Sequence, residues 1–489
     1  MNLPLFSLLT DVHVLTQQGS ADVPVVGLTL DSRQAGPGML FCALRGTATD
    51  GHKFIGQAVA LGAAVVLCEE LPAELNPATT YVQVPDAAAA LGPVASAFYG
   101  HPSRQLQLVG VTGTNGKTTC ATLLHKLLRE LGYHCGLLST VQNQIDETVV
   151  PSTHTTPDAI RLNELLARMV AAGCTHACME VSSHAVAQHR IGGLRFAGGV
   201  FTNLTHDHLD YHGTFGNYRD AKKGFFDALP RAAFALTNAD DRNGAVMLQN
   251  TAARRETYSL RSAATFRARL VDNSLAGLLL EIENREVHFR LIGVFNAYNL
   301  LAVYGAAVLL GEDATEVLTI LSGLTTAPGR FEPVTVPGRA IIGLVDYAHT
   351  PDALENVLQT LQQTRRPGQR IITVVGCGGN RDAAKRPVMA RLAAQLSDEV
   401  ILTADNPRDE DPLDILRQMQ AGLTPPADAH AQTIADRRQA IRAAVALARP
   451  GDLVLLAGKG HETYQEIKGI KAHFDDREEL RKALSELST

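Results

Sequence analysis

The chain has 489 residues, too many for one ordinary core, so roughly two to four domains are expected. At 45% hydrophobic and 19% charged residues it reads as globular, not disordered, and its net charge of −6 leaves no basic footprint for nucleic acid. No apolar run is long enough to span a bilayer, no Lys or Arg precedes Arg33 as a signal peptide would require, and seven scattered cysteines suit a reducing compartment; a cytoplasmic protein without membrane insertion is expected.

The first join is Tyr99-Gly100-His101-Pro102-Ser103, which closes an N-terminal domain over residues 1–103. Next, Leu106, Leu108, Val109 and Val111 predict a short buried strand. After a turn, Leu123, Leu124, Leu127, Leu128 and Leu131 recur at helical spacing, and Gly132 stands where a C-terminal cap belongs. The turn itself is Gly113-Thr114-Asn115-Gly116-Lys117-Thr118-Thr119. Its glycines let backbone N–H groups curl around an anion at a helix N-terminus, Lys117 can reach β/γ-phosphates, and the Thr118 hydroxyl suits a Mg²⁺ shell. The strict G-x-x-x-x-G-K-[ST] pattern asks for glycine where Val111 stands, yet the strand before and helix after favour phosphate binding over a chance match.

Cys174 and Cys178 have no second metal-ligand pair at zinc spacing and read as buried thiols. The stretch ACMEVSSHAVAQHR ends an apolar run at Glu180, a carboxylate placed where a nucleotide's Mg²⁺ is usually anchored. FTNLTHDHLDYHGT then gathers His206, Asp207, His208, Asp210 and His212, a density that suggests a metal or phosphoryl site rather than a merely polar turn. Lys222 and Lys223, in NYRDAKKGFF, would by spacing alone be a solvated face. An Ala/Leu-rich helical region runs from Asn296 to about Leu321, and Thr325-Thr326-Ala327-Pro328-Gly329-Arg330 closes a central domain over 104–330. In the last domain, 331–489, RIITVVGCGG, DEVILTADNPR and GDLVLLAGKGHE each end an apolar strand in a Gly- or Asp-containing loop, the pattern of a doubly wound parallel sheet. Gly376, Gly378 and Gly379 are no dinucleotide fingerprint, because Arg381 stands where G-x-G-x-x-G needs glycine.

Taken together, these residues resemble the ATP-dependent Mur ligases over nearly the whole chain. MEVSSH, HDHLDYH, DAKK, FNAYN, PGRFE and VDYAHTPD follow in the order and approximate spacing of that family, whose phosphate loop also lacks the first glycine. The resemblance implies three α/β domains: an N-terminal UDP-binding domain, a central P-loop ATPase-like parallel-sheet domain and a C-terminal Rossmann-like domain for the incoming amino acid. LTLDSR, VSSHAVAQHR, DNPR and GKGHE resemble the members that add the third residue of the peptidoglycan stem peptide to UDP-N-acetylmuramoyl-L-alanyl-D-glutamate. The DNPR form is the one associated with meso-diaminopimelate rather than L-lysine.

The same resemblance implies roles. Lys222 would react with CO₂ and, as a carbamate, join Thr118, Glu180 and His208 around Mg²⁺, two ions by the family's pattern. Gly113 to Thr119, Asn299, Arg330, Tyr347 and His349 would hold ATP, the co-substrate. Leu30, Ser32, Thr47, Ala48 and Thr49 would form the uridine diphosphate pocket. His154, Thr155, Thr156, Ser182, Gln188 and Arg190 would meet the muramoyl-dipeptide, although position 154 departs from the resemblance, which has asparagine there. Arg381, Asp405, Asn406, Pro407, Arg408, Gly458 and Glu462 would receive diaminopimelate. Arg408 is assigned to the second carboxylate, against the plainer reading that it pairs with Asp409, Glu410 or Asp411. Enclosed without a partner when L-lysine is bound, it would confer a preference of about 100-fold or more. A monomer is expected.

Three rivals are weighed. A folylpolyglutamate synthase would not need LTLDSR or DNPR. A regulatory GTPase would need Asn-Lys-x-Asp, and TNADD has Ala239 after the asparagine. A metal-dependent hydrolase on the His/Asp cluster would leave the phosphate loop unexplained.

Overall fold

Strand Ile371–Cys377 illustrates how the sheets are built: Ile371 and Val375 enter one apolar cluster while Ile372 and Val374 enter another on the opposite face. A strand buried on both faces needs helices on both sides, and the sequence supplies them in alternation. The computed structural model describes residues 2–46, 49–151, 155–425 and 427–487.

Among the described residues, the C-terminal sheet runs Glu332–Val334, Ile342–Asp346, Leu453–Ala457, Ile371–Cys377, Glu399–Ala404, Ala431–Thr433. All neighbours are parallel except the first pair. Helices Pro351–Thr364, Lys385–Leu396 and Pro412–Gln420 bury Leu354, Leu358, Met389 and Ile415 on one face. Arg437–Leu447 and Asp476–Glu486 cover the other with Ile441, Val445, Leu480 and Leu484. This is the doubly wound domain read from the sequence.

The central sheet differs in one respect from the parallel sheet expected. It has eleven strands among the described residues. Those from Cys135–Leu138 to Phe266–Ser274 are parallel, but antiparallel strands extend it at both edges: Asn143–Ile145 and Thr148–Val150 on one side, Gly277–Ile282 and Arg285–Phe289 on the other. Their tight connections allow antiparallel pairing without a crossover helix. The helical region from Asn296 onward is likewise two helices, Val294–Leu310 and Ala314–Gly323. Gly311 takes a left-handed φ of 106° that ends the first, and the Asp313 carboxylate accepts the N–H groups of Thr315 and Glu316 to start the second.

The N-terminal sheet runs Thr16–Gln18, Thr80–Gln83, Val65–Cys68, Met39–Cys42, Gly27–Thr29. Its helix Ala87–Phe98 approaches the central domain so closely that a Cβ at Gly92 would lie 2.3 Å from the Gly192 carbonyl. All seven cysteines are buried free thiols, Cys174 and Cys178 included.

Candidate active site

Strand Gln107–Thr112 delivers the phosphate loop and helix Lys117–Glu130 begins immediately after it. Glycine is required twice in this turn. Gly116 has φ 88° and a Cβ there would meet Asn299 Oδ1 at 2.5 Å; at Gly113, φ 150°, it would meet Thr202 Oγ1 at 1.9 Å. The loop is braced from behind: Asn203 Oδ1 accepts the Asn115 N–H at 2.9 Å, and Thr202 Oγ1 donates to the Asn115 carbonyl at 2.6 Å. Lys117 Nζ lies across the loop, donating to the Gly113 and Thr114 carbonyls at 3.0 and 2.9 Å.

A cleft of about 1100 Å³ opens over this loop, walled by the central and C-terminal domains. Its chemistry comes from loops at the carboxyl ends of parallel strands in both sheets, the general ligand position in open α/β sheets. Glu180 ends strand His176–Glu180, is almost fully buried, and accepts the Thr140 N–H on Oε1 at 2.8 Å. Asp207 and His208 also line the cleft, with His208 at a left-handed φ of 53°. His208 keeps 42% of its side-chain surface, but partial desolvation, helped by the Lys117 and Lys222 charges, outweighs the attraction of Asp207 and lowers its imidazole pKa, which favours a neutral nitrogen donor.

The other histidines of the cluster are engaged by neighbouring side chains. His206 stacks on Phe215 with centroids 5.2 Å apart, and His212 Nε2 meets Ser183 Oγ at 3.0 Å. His206 is itself exposed and lines the cleft, whereas His212 is buried, so the cluster divides into cleft residues and a buried one.

Lys222 and Lys223 are not the solvated face that spacing suggested. Helix Phe215–Asp227 buries both, because its inner face carries Tyr218, Phe225 and Phe226. Lys223 pairs with Asp227 at 2.7 Å. Lys222 is 1% exposed, donates to the Gly113 carbonyl at 2.8 Å and lies 4.8 Å from the centre of the Tyr218 ring. Burial, reinforced by the Lys117 charge, holds its amine well below the usual lysine range.

Among the described residues, no three His, Cys, Asp or Glu side chains form a ready-made metal cage. The donor set nevertheless fits Mg²⁺. That ion is commonly held by one or two carboxylates together with substrate phosphates, and Glu180, His208 and the Thr118 hydroxyl all line the cleft beside the phosphate loop.

The end of the central domain and the start of the C-terminal domain both reach this loop. Arg330 Nη2 donates to Thr118 Oγ1 at 2.9 Å while its guanidinium lies 4.5 Å over the Tyr347 ring. Asp352, in the first turn of helix Pro351–Thr364, accepts from Asn115 Nδ2 at 2.8 Å and Thr205 Oγ1 at 3.2 Å. His349 lines the cleft, its Nδ1 donating to the Tyr347 carbonyl at 2.9 Å; burial pushes the imidazole down to about 4. Asn299 is buried, its amide donating to Asn296 Oδ1 at 3.0 Å.

The muramoyl-dipeptide candidates form a network around Glu180. Thr156 Oγ1 donates to the Glu180 carbonyl at 2.9 Å, and Ser182 caps helix Ser183–Ala187. Arg190 donates to the Thr156 carbonyl at 2.7 Å and to Gln188 Oε1, while Gln188 reaches the Tyr211 hydroxyl at 3.0 Å. Thr155, Thr156, Ser182 and Arg190 line the cleft, with Gln188 just behind. The N-terminal candidates stand apart from that lining: Ser32 Oγ donates to Gln57 Oε1 at 2.9 Å, Leu30 joins the N-terminal core, and Thr49 is exposed. Thr47, Ala48 and His154 lie outside the described residues.

The amino-acid candidates come together on the far wall. Arg381, Asp405, Asn406, Arg408, Gly458 and Glu462 all line the cleft, and Pro407 lies buried between the last two residues of its loop. Arg408 makes none of the ion pairs weighed from the sequence, since its neighbours are otherwise engaged. Glu410 is held by Arg386, Asp409 by Asn380, and Asp411 caps helix Pro412–Gln420. Its Nη1 instead donates to the Gly379 carbonyl at 2.7 Å.

Residues that the sequence reading left without roles stand here too. Fully buried Lys459 donates to Asn406 Oδ1 and Glu462 Oε2, each at 3.2 Å, and Asn406 Nδ2 donates to the same carboxylate at 2.7 Å. Asp352 and Lys459 sit inside VDYAHTPD and GKGHE, so motif membership was the available signal.

The Mur ligase middle-domain model matches residues 111–307, the Mur ligase glutamate ligase domain 329–460, and the Mur ligase family catalytic domain 24–99. A relative from Cytophaga hutchinsonii, named UDP-N-acetylmuramoyl-L-alanyl-D-glutamate--2,6-diaminopimelate ligase, is 55% identical over 98% of this chain and 99% of its own. One of the same name from Bacteroides fragilis is 54% identical over 99% of both. A solved structure of a ligase of that name superposes with a TM-score of 0.70 at 33% identity, covering 99% of each chain. The chain belongs to the Mur ligase family.

Proposed function

We propose that the chain is an ATP-dependent ligase that joins meso-diaminopimelate to UDP-N-acetylmuramoyl-L-alanyl-D-glutamate in peptidoglycan precursor synthesis. Near-full-length identity to relatives named for the diaminopimelate ligase supports it. The observation that carries it is the single cleft in which the phosphate loop faces the Arg408 and Glu462 loops.

A carboxylate does not react with an amine in water, because its leaving group would be oxide. The D-glutamyl side-chain carboxylate therefore attacks the γ-phosphorus of ATP, releasing ADP and forming an acyl phosphate. The diaminopimelate amine then adds to the acyl carbon, and phosphate and a proton leave as the amide forms.

Lys117 rests on the phosphate loop and turns its charge to the β/γ-phosphates, offsetting charge that grows during transfer. Mg²⁺, when bound by Thr118, Glu180 and His208, adds charge neutralisation at the same phosphates. Lys222, in its uncharged amine form, is a nucleophile for CO₂; the carbamate forms with loss of one proton and would turn the neutral amine into an anionic ligand. Asp352 ties the C-terminal domain to the phosphate loop, and Arg330, at the join, bonds Thr118 while lying over Tyr347, so domain closure and nucleotide seating proceed together and exclude water from the acyl phosphate. Thr155, Thr156, Ser182, Gln188 and Arg190 orient the acceptor. Arg408 takes the second carboxylate of diaminopimelate, and Glu462 with the Gly458 carbonyl takes the neighbouring ammonium. A hydrolase on the histidine cluster is disfavoured, because it would leave the phosphate loop in the same cleft without a role.

Phosphate release from ATP, measured with acceptor and amino acid supplied singly and together, tests the reading. ATP consumption should require the acceptor, and net turnover both. Rapid hydrolysis with neither would overturn it.

A further inference from the structure

Arg386 is large, charged and 1% exposed, yet it lies behind the cleft wall and touches no candidate substrate position. Its guanidinium grips one carboxylate in parallel: Nη1 to Glu410 Oε2 at 2.8 Å and Nη2 to Glu410 Oε1 at 2.9 Å. Gln418 Oε1 receives a further bond from Nη1 at 2.8 Å. A charge pair with a buried guanidinium and a carboxylate that keeps 33% of its surface is weak evidence for stability by itself, which directs attention to what the pair holds in place.

Glu410 Oε1 also accepts the backbone N–H of Asn380. That N–H belongs to the same peptide group as the Gly379 carbonyl, and in a trans peptide the two point in opposite directions. The Gly379 carbonyl is the acceptor of Arg408 Nη1 at 2.7 Å. A continuous line thus runs from Arg386 through the Glu410 carboxylate and one peptide plane to the guanidinium that faces the cleft. Were this peptide to turn over, an N–H would face Arg408 and its acceptor would be gone.

The surrounding bonds resist such a rotation. Asn380 holds a left-handed φ of 53°, a conformation asparagine tolerates better than most residues, and its side chain exchanges bonds with Asp409. The Gly379 N–H donates to the Asn406 carbonyl at 2.9 Å, and a Cβ on Gly379 would lie 1.9 Å from the Pro407 carbonyl. On the other side of the loop, the Arg408 N–H donates to the Glu466 carbonyl at 3.0 Å. The loops after strands Ile371–Cys377 and Glu399–Ala404 are therefore laced into one platform, which also carries Arg381.

We propose that Arg386 and Glu410 are positioning residues for the incoming amino acid: by fixing the Gly379–Asn380 peptide they aim Arg408 at the second carboxylate. The inference rests on the role given to Arg408 above. Neither residue touches substrate, so their loss should affect recognition of diaminopimelate and not that of ATP or the nucleotide-sugar acceptor.

The test compares wild type with Glu410→Ala, Glu410→Gln and Arg408→Ala. It measures KM for all three substrates and the preference for meso-diaminopimelate over L-lysine in kcat/KM. Misplacement of a binding group by about 1 Å costs up to about 100-fold. Glu410→Ala should accordingly raise KM for diaminopimelate about 10- to 100-fold and erode the preference. KM for ATP and for the acceptor should stay within about twofold. Glu410→Gln, which keeps an acceptor for the Asn380 N–H, should recover most of both losses. Arg408→Ala that loses the preference while Glu410→Ala keeps it overturns the relay alone. Arg408→Ala that keeps the preference overturns the underlying role of Arg408. Equal rises in all three KM values in Glu410→Ala, without recovery in Glu410→Gln, would make Glu410 a general stabilising residue and overturn the proposal.

Discussion

Replacing Arg408 with alanine measures how much of the choice between diaminopimelate and L-lysine one guanidinium carries. A fully buried charge left without a partner costs about 3–5 kcal/mol, but the structure calls for a smaller figure. Arg408 is only half-buried, and Nη1 keeps the Gly379 carbonyl whichever amino acid is bound. What L-lysine forfeits is therefore the charge-assisted bonding to a second carboxylate, about 1.5–3 kcal/mol. That corresponds to a preference of about 10- to 150-fold, so the expectation of 100-fold or more moves downward. Wild type offered equal amounts of both amino acids, with the tripeptide products resolved by mass spectrometry, should show this ratio. In Arg408→Ala the ratio should fall to within about threefold of unity, chiefly through KM for diaminopimelate, because a planar fork cannot be replaced by solvent. Equal use of both amino acids by wild type, or an unchanged ratio in the mutant, refutes the reasoning.

Lys222→Ala should lose nearly all turnover, with partial recovery in high acetate or formate, whereas Lys223→Ala, which removes a Lys–Asp pair on the same helix, should stay within about tenfold of wild type in the same phosphate-release assay. Lys117→Ala should lower kcat by about 100-fold or more in single-turnover measurements, because it removes a charge acting on the transferring phosphoryl group. His125 is buried in the central core, its ring against the Cys135 carbonyl, and burial pushes it down to about 4. The unfolded chain takes up this proton near pH 6.5 and the native state does not. Stability is therefore full above about pH 6.5 and falls as pH drops towards 4, by about 3 kcal/mol from this group. Urea unfolding across that window should show a shallower pH slope in His125→Gln than in wild type.

The phosphate loop was legible from the sequence because its strand, glycines, lysine and helix are contiguous, so local pattern and local structure coincide. The Arg386–Glu410 and Asn115–Asp352 bonds were not, because their partners lie 24 and 237 residues apart and only the fold brings them together. Lys222 and Lys223 show the limit most plainly. Adjacent identical residues offer no spacing signal, and it took the helix's orientation to send one amine to the Gly113 carbonyl and the other to Asp227. The histidine-rich turn was legible as a cluster but not in its division between His206 and His208 at the cleft and the buried His212. That division depends on Ser183 lying beside the His212 ring. The broken helix after Asn296 was readable in principle from Gly311 and Asp313, whose capping chemistry was outweighed by a long apolar composition.

Every loop assigned to the incoming amino acid leaves a single six-stranded sheet, while the phosphate loop leaves a different one. Diversification can thus proceed unevenly across the molecule. Substitutions around residues 378–381, 405–410 and 458–462 can change the loops assigned to the amino acid without replacing a residue of the phosphate loop. A compound that competes at these loops would meet groups held by the C-terminal sheet, whereas one lodged against the phosphate loop would meet groups held by the central one.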